Sequence, residues 1–254
     1  MPINEGLLRE LEVINEIDGK KINELSNNCR TLVKNLFGVL SDDKVVHCEK
    51  IEGNNKADFF IEYDDKRRYV SMKSGAAVIV HNEIIDNFIS YLREEGISEE
   101  TIETILLFHY GDGSTDGSGE IRKNTSELMY VMKDRIKKAN GELNWNMEFI
   151  VKTVKRLMFY GASSDYIPAD ALYFGDKDYG VVVTMKQVIR HLQKRGFDFY
   201  DNLHIGPLLI RPDARYVTKE IVSQRKYNRI VAYWPNLQAD VIFISKRYNY
   251  DYMY

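Results

Sequence analysis

The sequence predicts a mixed α/β (α+β) fold, with a central mixed β-sheet and helices packed around it. Three observations carry that expectation. Residues 56–75, KADFFIEYDDKRRYVSMKSG, alternate apolar and polar side chains about a polar turn, as a β-hairpin does. Apolar residues recur at helical spacing in INELSNNCRTLVKNLFGVL and again in NEIIDNFISYLREEG. The last seventy residues then look β-rich, with LLIRPDARYV, RIVAYWPN and ADVIFISKR all strand-like. At 254 residues the chain suits one large domain, or one core with a subdomain. Within a single domain 1–254, residues 1–110 read as a helical region plus the hairpin. Residues 120–254 read as a helical and β-rich part.

Each element has its own signal. The charged segment MPINEGLLRELEVINEIDG is helical, and Leu25, Cys29, Leu32, Val33, Leu36 and Phe37 mark the buried side of the next helical stretch. Val45 to Glu49 suits a short first strand. In the hairpin, a two-residue turn at Asp65-Lys66 would pair Tyr63 with Arg68, Ile61 with Val70 and Phe59 with Met72, and set Asp58 opposite Lys73. Phe59, Ile61, Tyr63, Val70 and Met72 then form an apolar face, and Asp58, Glu62, Tyr69, Ser71 and Lys73 share the other. Asn82 or His81 is placed to cap a helix that stops at Gly96, and Ser98 to cap the one after it. The loop GDGSTDGSGE fits neither an EF-hand nor a P-loop and reads as a surface loop. A helix over 125–140 stopped by Gly141, a helix from about Asn146 to Tyr160, a strand–turn–strand in ADALYFGDKDYGVVVT and a basic helix in MKQVIRHLQKRG complete the reading.

Composition narrows the function. Hydrophobic residues make up 44% of the chain, no run approaches transmembrane length, and Cys29 and Cys48 form neither a metal cluster nor a disulfide framework. These features suit a cytoplasmic protein with no membrane partner. The net charge of −3 hides an asymmetry: residues 1–120 carry 13 Lys/Arg against 24 Asp/Glu, and residues 186–247 carry 12 against 5. An acidic half suits cations and a basic half suits phosphate, although a solvated surface gives the same asymmetry.

The hairpin resembles the PD-(D/E)xK nuclease superfamily, which includes many type II restriction endonucleases. Asp58 matches the acid that begins one strand, Lys73 matches the lysine on the next, and Ser71 stands where the first acid of the acidic-x-Lys triplet is expected. Relatives similar in carrying Ser-x-Lys take the missing acid from a glutamate further along, and the stretch from Ser71 to Glu83 offers Glu83 there. The resemblance implies a restriction-endonuclease-like core and a Mg²⁺-dependent endonuclease acting on double-stranded DNA. Asp58 and Glu83 would hold the metal, with Glu62 in reserve and the Met72 carbonyl as a further ligand. Lys73 would act at the attacking water, with Ser71 in the site. On the first helical region, Glu24 is a further candidate acid. Arg211, Arg215, Arg225, Lys226 and Arg229, interleaved with Tyr and Trp, would contact DNA. Cutting both strands of a symmetric site would make the enzyme a homodimer. Two other readings stand beside this one: a catalytically inactive DNA-binding relative, and a structural or partner-binding protein in which Asp58 and Lys73 form an ordinary cross-strand ion pair.

Overall fold

The computed structural model describes residues 5–53, 55–75, 79–119, 122–194, 202–213 and 227–248. The chain divides into two compact units, the first drawn from residues 1–78, 158–194 and 236–254 and the second from 79–157 and 195–235. It opens in the first unit with α1 (Glu5–Ile17), α2 (Asn27–Phe37), β1 (His47–Lys50), β2 (Phe59–Tyr63) and β3 (Lys66–Lys73). It crosses to the second for β4 (Ile79–Ile84), α3 (Ile85–Glu94), α4 (Glu99–Tyr110), α5 (Thr125–Val131), α6 (Lys133–Leu143) and α7 (Met147–Val154). A π-helical turn, Lys155–Tyr160, leads back to β5 (Ala171–Gly175), β6 (Gly180–Thr184) and α8 (Met185–Leu192) of the first unit. The second unit then gains β7 (His204–Ile205), β8 (Leu208–Pro212) and β9 (Arg229–Tyr233), and α9 (Leu237–Arg247) returns to the first.

The fold is mixed α/β, as the sequence predicts. The first unit holds a five-stranded mixed sheet in the order β1-β2-β3-β5-β6, in which only the β3–β5 pair is parallel. Val13, Ile14 and Ile17 of α1 and Cys29, Leu32, Val33 and Leu36 of α2 form one core with Phe59, Ile61, Val70 and Met72 of the hairpin. Each such side chain, fully buried, contributes about 1.5–3 kcal/mol. The second unit holds a four-stranded antiparallel sheet in the order β4-β9-β8-β7. Among the described residues, no helix is long and apolar enough to cross a membrane.

Four local expectations are corrected. The hairpin turn is Asp64-Asp65, both at positive φ (53° and 60°), so Tyr63 pairs with Lys66 and Phe59 with Val70. The register is therefore two residues from the expected one, and a two-residue slip leaves every side chain on its original face. His81 and Asn82 cap no helix; they lie in β4 beside β9, and α3 begins only at Ile85. The helix expected over 125–140 breaks at Met132 (φ −104°, ψ 12°), and its second half runs through Gly141 because Leu143 still finds buried packing. ADVIFISKR is helix α9, not a strand: Leu237, Val241 and Ile244 are buried at helical spacing, and that packing overrides the β-branched run.

Candidate functional site

The candidate site lies where β3 outruns β2. β2 begins at Phe59, opposite Val70, and leaves Ser71, Met72 and Lys73 without a β2 partner on that side. On its other side β3 stays paired, with Lys73 opposite Phe174 of β5. Asp58 sits at the step. Its backbone N–H donates to Val70 O at 2.8 Å and its carbonyl accepts from Ile51 N–H at 2.9 Å, so main-chain bonds fix it on both sides. Its carboxylate replaces the missing ladder acceptor: Oδ2 receives the Met72 N–H at 2.6 Å and the Ser71 hydroxyl at 3.2 Å.

Lys73 returns toward the same point. Its ammonium donates to Ser71 Oγ at 2.9 Å and to the Met72 carbonyl at 2.9 Å, and lies 3.5 Å from Asp58 Oδ2. Ser71 is 2% exposed and touches both charged partners. The sequence-predicted residues Asp58, Ser71, Met72 and Lys73 are thus brought together. A charge-assisted cluster of this kind holds its members more tightly than neutral hydrogen bonds would.

Asp58, Met72, Lys73 and Ser74 open onto a cleft of about 360 Å³ that also takes in Lys50 at the end of β1 and Glu10 of α1. Glu10 went unnoticed in the sequence, where it is one of several acids on a charged helix. Burial, followed by the nearby Asp58 carboxylate, pushes its pKa up to about 7, against the pull of Lys50 and Lys73. A carboxyl held near neutrality by desolvation and a like charge, inside a cleft, marks a functional position. Its sequence signal was positional: seven residues before Ile17, it sits beyond the buried run Val13, Ile14 and Ile17 on the helix that covers the hairpin.

The other predicted acids are engaged elsewhere. Glu62 accepts from Arg67 Nη2 at 2.8 Å and Nε at 3.0 Å, with the guanidinium stacked 3.9 Å from the Phe60 ring centre. Glu24 accepts from the Lys21 N–H in its own 3-10 turn. Glu83 belongs to the second unit, on β4 and not at a helix start, and is 4% exposed. Arg156 donates to both its oxygens, at 2.6 and 2.7 Å, and His81 Nε2 lies 3.1 Å away. Burial would raise the Glu83 pKa, but the bonds from Arg156 and His81 outweigh it and hold the acid below its ordinary value.

Among the described residues, no three His, Cys, Asp or Glu side chains gather as a metal cluster. Mg²⁺ keeps several waters and takes one or two carboxylates plus substrate phosphate. Asp58 and Glu10 bring two carboxylates to the cleft, and Met72 lines it beside them.

Of the residues expected to meet DNA, Arg211 lies on β8 and Arg229 on β9. Arg215, Arg225 and Lys226 lie outside the described residues. With these geometries in hand, the chain was compared with known proteins: no protein-family model matches it, and no characterised protein matches it in sequence.

Proposed function

We propose that the chain is a Mg²⁺-dependent endonuclease of double-stranded DNA, of the type II restriction kind, with a restriction-endonuclease-like core in its first unit. The observation that carries this reading is the cleft at the end of β3, where Asp58, Glu10 and Lys73 converge at the end of the central strand of a mixed sheet. Asp58 and Glu10 would hold the cation, with the Met72 carbonyl as a third protein ligand. Bound Mg²⁺ would supply Lewis-acid activation and charge neutralisation at the scissile phosphate. The lysine ammonium would orient the attacking water and offset phosphate charge. Ser71 would keep Asp58 and Lys73 in register, and Lys50 would add a second cation for the DNA backbone. Glu10 thereby takes the part the resemblance gives to Glu83, whose oxygens are already occupied.

Cleavage of both strands at a symmetric site would require a homodimer. A cytoplasmic location is favoured by Cys29 and Cys48, which are free and buried, with thiol pKa values raised chiefly by burial. The test is cleavage of unmethylated plasmid and phage DNA with and without Mg²⁺, by wild type and Lys73→Ala. Discrete fragments that need both the cation and Lys73 support the proposal. A second reading rests on the Lys73 ammonium finding three acceptors within the hairpin, as a static ion pair would. Folded wild-type protein that leaves every substrate intact would favour it, or the inactive DNA binder if a Ca²⁺ gel shift still shows a complex.

A further inference from the structure

The second unit carries a polar array that the cleavage chemistry does not use. Strand pairing sorts the β4-β9-β8 sheet into two faces. Glu83, Ile230, Ala232, Ile210 and Leu208 lie on one, and all are buried. The other carries Asn82 and Ile84 from β4, Arg229, Val231 and Tyr233 from β9, and Leu209 and Arg211 from β8, with Asp213 just beyond the end of β8. Val231 at its centre is fully buried, and the side chains around it are partly exposed.

One chain of hydrogen bonds crosses this face. Arg229 Nε donates to Asn82 Oδ1, and Arg229 Nη2 reaches the Asn82 carbonyl at 3.4 Å. Asn82 Nδ2 in turn donates to Asp213 Oδ2 at 3.2 Å. The backbone closes the same corner, with Asp213 N–H donating to Arg229 O at 2.9 Å. A guanidinium and a carboxylate are thus held side by side in fixed orientations by one amide. Two of the five guanidinium N–H groups hold the arginine, which leaves an edge of the fork for a ligand. Opposite Arg229 on β4, Ile84 is 46% exposed, and Ile79, opposite Tyr233, is 43% exposed.

On the reading that the substrate is duplex DNA, we propose that this face reads a G·C base pair in the major groove. Arg229 donates to the guanine O6 and N7, Asp213 accepts from the cytosine N4 amino group, and Asn82 fixes both. The pairing follows the donor and acceptor pattern of that base pair, for which arginine and a carboxylate are the matching side chains. An acid at the rim of such a surface repels phosphate, so Asp213 fits only where it meets an amino group and acts against the wrong pair.

The experiment is selection of bound sequences from a randomised duplex pool in Ca²⁺, with full-length wild type, Arg229→Lys and Asp213→Asn. Wild type is expected to enrich sites containing a fixed G·C pair. Arg229→Lys keeps the charge and the overall DNA affinity, but loses at least about tenfold of the preference at that one position, the size of a bidentate base contact. Asp213→Asn weakens discrimination at the same pair, and serves alone if Arg229→Lys misfolds. Preferences identical in wild type and in both folded variants would overturn the assignment and leave the three residues as a staple between strands. Wild type that binds no duplex at all would instead remove the nuclease reading on which the inference rests.

Discussion

Each unit of the chain contains a cluster of acids and bases around a strand, and the two clusters are built on opposite principles. In the second unit Glu83 meets Arg156 in a bidentate pair, His81 adds a second partner, and the guanidinium stacks 4.6 Å from the Tyr91 ring centre. Tyr91 is fixed in turn by a 2.8 Å hydrogen bond with Thr153. Every charge there is answered by its opposite, and the acid's pKa falls. In the first unit Asp58 and Glu10 share a cleft, and the like charge of Asp58 helps to raise Glu10 to about 7. The sealed pair is a structural solution to burying charge. The open cluster leaves a like-charge repulsion that a divalent cation would relieve. Two glutamates of one chain thus have their pKa values moved in opposite directions by their surroundings alone.

The comparison breaks first at Lys73 and Asp58. Lys73→Ala or Asp58→Asn should lower Mg²⁺-dependent cleavage by about 10²–10⁴-fold, the range of a positioned acid–base group, while the melting temperature stays close to wild type. Loss of the fold in either variant would mean that the open cluster is structural after all. Next comes the sealed pair. Arg156→Met should cost about 3–5 kcal/mol of stability by removing the bidentate partner of buried Glu83 and leaving only His81 beside it, and the double variant with Glu83→Leu should recover much of that loss in urea unfolding. A small effect of the single variant would place Glu83 nearer to solvent and to a catalytic role.

Glu10 sharpens the contrast through pH. Cation affinity of wild type, measured by calorimetry, should rise by up to about tenfold per pH unit up to pH 7 as the carboxyl ionises, and Glu10→Gln should flatten that rise. Without cation, the raised pKa means that the unfolded chain releases this proton near the ordinary value of 4.5 and the folded chain near 7. Its contribution therefore lowers stability as pH rises across that window. The smallest effect has the opposite sign and comes from the second unit. Burial, then Arg122, lowers the His109 pKa to about 4, despite the 3.0 Å contact of Nε2 with Tyr227 O. The unfolded chain gains that proton first, so stability is lost as pH falls from 6.5 toward 4. Comparing Glu10→Gln with His109→Gln in pH-dependent unfolding separates the two slopes.

Much of the first unit was legible because its signals are local. The period-two pattern of 58–73 assigned the hairpin faces correctly even though the turn was misplaced, since the error was an even number of residues. What misled was the choice of Asp65-Lys66, when two consecutive aspartates tolerate positive φ better than a lysine does. ADVIFISKR failed for a different reason: its β-branched residues have strand propensity, and only tertiary packing of Leu237, Val241 and Ile244 makes it a helix. Within the site, Asp58, Ser71 and Lys73 were readable from one hairpin. Glu10 was not singled out, because its spacing from Val13, Ile14 and Ile17 sets it on the covered side of α1 but does not tell where α1 crosses the strand ends. Glu83 was read as a helix-start acid because its strand partner, β9, lies about 150 residues away.

The parallel register of β3 with β5 carries a kinetic consequence. It joins Lys73 to Phe174 across about a hundred residues, most of which belong to the second unit. Closing a loop of that length from an unfolded chain costs roughly 3 kcal/mol more entropy than closing a tight turn. The helices α3 to α7, which lie between the two strands in sequence, shorten that loop once they form, whereas β7 to β9 of the second unit follow β5. The strand that carries Lys73 therefore gains its parallel neighbour late in folding. A ribosome-bound fragment ending before β5 holds the hairpin without the sheet that supports it.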